Sequence, residues 1–148
     1  MSGETIVVFG STVKTLASSG AAIANNAIGQ AATANYGVIA DGGGYPDADF
    51  VLTGSFATAP TENTVLGLYA RPLDIDGTLD TDVPETTRPT LFIGSFVLNN
   101  VTTAQTLLLT ARDLPRLADY YVHNNGSGQT LAAGWTLKAT PRSYSVAV

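Results

Sequence analysis

Cysteine is absent from the 148 residues, which excludes disulfides, thiolate nucleophiles and cysteine-based zinc sites. Histidine occurs once, at His123, so no two-histidine metal site can form within one chain. Charge is scarce as well: Asp, Glu, Lys and Arg together make 13 % of the chain, about half the usual quarter. The 12 acids outnumber the 7 bases, and a net charge of −5 argues against nucleic acid as a partner. No apolar run approaches the roughly 20 residues of a membrane span, so no membrane partner is expected. The opening Met-Ser-Gly-Glu-Thr has neither the basic start nor the apolar stretch of a secretory signal. The 45 % of apolar residues is ordinary for a globular protein, and a chain this long can build a core without a staple. One domain over residues 1–148 is expected.

Strand-forming residues dominate the rest. Thr5 to Phe9 reads as a first strand. From Asp49 to Thr58, Phe50, Leu52 and Phe56 share one face while Thr53, Ser55 and Ala57 share the other. Ala59-Pro60-Thr61-Glu62-Asn63 has turn chemistry, and alternation resumes from Val65 to Arg71, which predicts a hairpin. Pro72 to Pro89, with three prolines and five acids, predicts a long surface loop. Thr90 to Leu98 is apolar on both faces, with Leu91, Ile93 and Val97 on one and Phe92, Phe96 and Leu98 on the other. Such a strand is either central or meets another chain. Further strands are expected at Thr106 to Ala111, Tyr120 to Asn124, Trp135 to Thr140 and over the final residues. The alanine-rich stretch 15–35 is interrupted by Gly20, Asn25-Asn26 and Gly29, so two short strands around a turn are preferred to a helix. The expected fold is an all-β antiparallel sandwich, jelly-roll-like, of about eight or nine strands, with long loops at about 41–49 and 72–89. Residues 1–4 and 146–148 are candidates for extended arms.

Few motifs carry chemistry. Asp74-Ile75-Asp76-Gly77-Thr78-Leu79 spells the nucleophile signature of haloacid-dehalogenase-like phosphatases. That chemistry requires the tip of a buried parallel strand, but Arg71-Pro72 lies just upstream and the alternating strand–helix pattern is missing. A solvated acidic loop is the better reading. As a calcium loop counted from Asp74, Glu85 falls at the twelfth position but Leu79 occupies the sixth, where glycine is required. The stretch Asp41 to Asp49, with Gly42, Gly43 and Gly44, reads as a flexible loop and lacks the Lys-Ser/Thr of a phosphate loop. His123 lacks a Gly-x-Ser-x-Gly elbow and is expected as a partly exposed structural residue. Trp135 alternates with Leu137 and is expected in the core rather than on a sugar-binding face. Catalytic, cofactor and metal residues are therefore expected to be none.

Two stretches together carry a resemblance. One is Phe50 to Leu68, a strand running into Ala-Pro-Thr; the other begins with Leu91 to Asn100 (Leu-Phe-Ile-Gly-Ser-Phe-Val-Leu-Asn-Asn) and continues through Leu114-Pro115-Arg116. It ends in Tyr121 to Leu131, whose turn reads Asn-Asn-Gly-Ser-Gly-Gln. This order resembles small virion proteins of tailed bacteriophages over about two thirds of the chain; residues 10 to 45 do not contribute. The resemblance implies a non-enzymatic jelly-roll decoration, or cement, protein on the capsid exterior, made in the host cytoplasm. It implies the major capsid protein and further copies of the chain as partners, in a homotrimer or homodimer, and no cofactor. Phe92, Phe96, Leu98, Val146 and Val148 are the contact residues expected from the two-faced strand and the chain end. The alternative is a β-sandwich that binds carbohydrate or a cell surface, as a head fibre or adhesin does, through loops 41–49 and 124–130.

Overall fold

The computed structural model describes residues 5–87 and 91–146, with only the backbone of Val146. Its ten strands are β1 (Thr5–Phe9), β2 (Lys14–Gly20), β3 (Ile28–Gln30), β4 (Tyr36–Gly37), β5 (Asp47–Gly54), β6 (Val65–Pro72), β7 (Leu91–Val97), β8 (Gln105–Ala111), β9 (Leu117–Asn125) and β10 (Trp135–Val146). All pairings are antiparallel. The first sheet runs β2-β10-β5-β8, with β1 placed end to end with β2 on the same flank of β10. The second runs β3-β9-β6-β7, with β4 beside β3 on β9. This strand order is that of a jelly roll, and six of its nine connections cross from one sheet to the other.

Period-2 patterning explains the core. Phe50 and Leu52 of β5, Leu137 and Ala139 of β10, Leu66 and Leu68 of β6, and Tyr120 and Val122 of β9 are all buried between the sheets. Trp135 lies at the end of this layer, 1 % exposed, with its indole nitrogen donating to the Ala21 carbonyl at 2.7 Å. Gly20 makes that possible, since a Cβ there would fall 2.0 Å from the Trp135 ring. The 15–35 segment forms two strands as expected, but β2 and β3 lie in different sheets.

Three expectations need correction. The predicted hairpin from Asp49 to Arg71 does not form, because β5 belongs to the first sheet and β6 to the second. Residues 55–64 cross between them, with Phe56 bridged to Leu131 and buried. The glycine-rich loop ends at Pro46, and Asp47 to Asp49 already pair with Arg142, Pro141 and Thr140 of β10. Finally, β7 is an edge strand rather than a central one, paired among the described residues only with β6. Its register breaks between Leu68, opposite Gly94, and Tyr69, opposite Phe92, so Ile93 is an extra residue. The bulge reverses the side-chain parity. Phe96 and Leu98 go inward, 0 % and 1 % exposed, while Phe92 turns outward at 55 %.

Candidate interaction surfaces

The expected contact residues separate in the structure. Phe96 and Leu98 are core residues, so their assignment to an interface is corrected: the bulge places them on the inner side of β7. Phe92 remains exposed, flanked by Leu91 at 44 % and Val97 at 55 %. Val146 pairs with Thr5 through its backbone, whereas its side chain and all of Val148 lie outside the described residues, as does the arm 1–4.

Two apolar surfaces result. The first is the outer face of the second sheet. Tyr121, Tyr69 and Phe92 lie opposite one another across β9, β6 and β7. The Tyr69 ring is 5.3 Å from that of Phe92 and 6.1 Å from that of His123. Gly67 clears the space beneath, since a Cβ there would sit 3.0 Å from the Tyr69 ring. His123 is thus a half-buried member of an aromatic cluster, and its burial lowers its pKa below the ordinary 6.5. Burial likewise raises the Tyr121 hydroxyl, helped by the nearby Asp119 carboxylate. Arg71 ties the polar margin of this face, donating to the Thr81 carbonyl at 2.8 Å and lying 3.8 Å from Asp119.

The second surface is a two-stranded ribbon. β5 stops pairing with β10 at Arg142, yet β10 continues to Val146 with only β1 beside it among the described residues. Every residue of this ribbon is uncharged beyond Arg142, and Ile6, Val7, Phe9 and Tyr144 are 40–56 % exposed. Arg142 covers its root, with the guanidinium 5.6 Å from the Phe9 ring centre and 5.4 Å from that of Tyr144. The same guanidinium bonds the Asp49 carboxylate at 2.9 Å. Beside the root is an open cleft of about 440 Å³, lined by Phe9, Thr12, Asp41, Tyr45 and Pro141 among others. Its one carboxylate, Asp41, is already engaged by the Lys14 ammonium at 2.7 Å and the Gly37 amide at 2.8 Å. Burial alone would raise the pKa of Asp41, but these bonds outweigh it and hold it below the ordinary 3.8.

The acidic loop is folded on itself. Asp74 has a φ of 50°, and the Asp76 carboxylate accepts from the amides of Thr78 and Leu79 at 3.0 and 2.7 Å. These bonds, from Leu79 foremost, lower the Asp76 pKa. Among the described residues no group of three or more His, Cys, Asp or Glu side chains is placed to hold a metal ion. Loop 124–130, a candidate recognition loop, is fastened: the amides of Gly126 and Gly128 donate to Asn26 and Asn25 at 3.0 and 2.9 Å.

The ribbon residues Ile6, Val7 and Phe9 were not legible as contacts. Their signal is a run of five uncharged residues without alternation, Thr5 to Phe9, which a strand with one wet face would not have. No protein-family model matches the chain, and no curated protein or solved structure matches it.

Proposed function

We propose that this chain is a non-enzymatic structural protein of a tailed-phage virion, which decorates the capsid exterior and stabilises it by binding the major capsid protein as a symmetric oligomer. The observation that carries this reading is the pair of separate apolar surfaces, the aromatic face around Phe92 and the ribbon around Val7, on one small jelly roll. A reinforcing protein must hold two neighbours at once, and repetition over a symmetric shell turns weak contacts into firm attachment. The resemblance of Phe50 to Leu68 and Leu91 to Leu131 to small virion proteins supports the same assignment. The test is reconstitution with capsids. The chain should bind at a fixed, high copy number and raise capsid resistance to heat or low salt, and Phe92→Ser should weaken binding at least tenfold. Absence of binding to any capsid of its own phage would refute the proposal.

A second reading rests on the aromatic cluster alone. Phe92 and the half-buried Tyr69, beside His123 and with Tyr121 buried next to them, are of the kind that stack on sugar rings in a carbohydrate- or cell-surface-binding module. Binding on a glycan array, lost in Phe92→Ala, would favour it over capsid decoration.

A further inference from the structure

Edge strands offer unpaired backbone groups to any passing strand, and folded proteins protect them with short length, charge, bulges or a covering element. Most edges of this sandwich carry such a device. β3 and β4 are three and two residues long. β2 begins with Lys14 and has two register shifts against β10. β7 is bulged at Ile93, and β8 lies against β7 at the flank of the sandwich, with Leu109 seated over Gly94. Among the described residues β1 is the exception. Its five residues pair with β10 in unbroken register from Thr5–Val146 to Phe9–Arg142. It contains no charge, no proline and no bulge, and it is apolar on both faces.

We infer that β1 pairs antiparallel with β1 of a second copy about a two-fold axis at Val7, joining the two ribbons into one four-stranded sheet. The second copy is the fitting occupant for three reasons. An uncharged strand is self-complementary in this arrangement, which sets Val7 opposite Val7, Ile6 opposite Val8 and Thr5 opposite Phe9. Among the described residues the other edges are short, shifted or bulged, and β8, though uncharged and unbulged, is flanked by β7, so a second β1 is the fitting edge to join it. Lastly, a two-stranded ribbon is marginal in water, whereas four strands are not. The pairing gives the symmetric oligomer of the proposed function its interface; it rests on that reading only for the existence of an oligomer, and shell binding is measured separately.

Native mass and cross-linking test it. Light scattering of the full chain should give twice the 15.3 kDa monomer mass. Val7→Lys places like charges opposite each other and should return the monomer, with an unchanged melting temperature when both are measured at monomeric dilution. Because the chain has no cysteine, Val7→Cys introduces a single thiol. Opposed strand residues lie roughly 4.5–5.5 Å apart at Cα, within disulfide range, so mild oxidation should yield a covalent dimer. Leu108→Cys, more exposed than Val7 but on β8, should not cross-link. A monomeric wild type, or cross-linking at Leu108→Cys as complete as at Val7→Cys, would overturn the pairing. A monomer that still binds capsids would sink this inference and spare the function, and a dimer that binds none would do the reverse.

Discussion

The two ends of the sandwich are built differently. At one end meet residues 21–27, 55–64, 98–104 and 126–134, and buried polar groups lock them together. Asn124, 0 % exposed, donates to the carbonyls of Ile23 and Gln129 at 3.0 and 2.7 Å. The buried Gln105 side chain bonds both the amide and the carbonyl of Asn99, and the Thr61 amide donates to the Ser127 carbonyl. At the other end are residues 38–46, 73–87 and 112–116 and the ribbon. The 73–87 loop leaves Ile75 59 % and Leu79 61 % exposed and is held by Arg71 and by its own turn. Internal hydrogen bonds tie the first end together, with the buried Asn124 Oδ1 the one atom of this amide left without a partner. The second keeps apolar surface outside.

Four measurements sharpen or break this contrast, and the largest effect belongs to the locked end. Gly20→Ala should cost up to about 3 kcal/mol of stability in urea unfolding, because the added methyl collides with an indole that its hydrogen bond holds in place. A cost below half of that would show the end to be softer than its bonds imply. Asn124→Ala should cost about 2 kcal/mol, since Ile23 and Gln129 lose one donor each while other donors remain to them. At the open end, Asp41 is held below the ordinary 3.8 by Lys14 and Gly37. Its contribution, about 1 kcal/mol, is present above that pH and disappears as pH falls through the lowered value, so Asp41→Asn should flatten the acid limb of stability. Smallest of all, Phe92→Ser should change stability by no more than about 0.5 kcal/mol, although it should impair binding. A loss of 2 kcal/mol would mean that Phe92 supports the fold rather than a partner.

Burial was legible in the sequence wherever alternation was regular. Phe50, Leu52, Trp135 and Leu137 were readable as core because their spacing keeps them on one face. Alternation does not say which sheet a strand joins, and so the break after Gly54 reads equally well as a hairpin turn or a crossover. The bulge at Ile93 was hidden for another reason. One extra residue flips parity without a signature of its own, and Gly94, pressed by Leu109, is its only trace. That slip moved Phe96 and Leu98 to the wrong side and left Phe92 correctly exposed. The outer aromatic face was partly visible through Tyr121, but Tyr69 joins it only through the pairing of β6 with β9.

Pro141 lies within β10, a strand paired on both sides, where a missing amide ought to be costly. Its carbonyl accepts from Gly10, which faces its nitrogen toward the same flank, at the seam where β2 has ended at Ala139 and β1 begins at Arg142. The absent donor therefore falls where no strand needs it. The seam also divides the flank: β1 pairs with β10 only from Arg142 to Val146, beyond the residues that β2 covers. In hydrogen exchange, β1 amides should accordingly behave as a subglobal unit that opens well before the central amides of β5 and β9, and burying that unit in an assembly should slow its exchange more than that of any other segment.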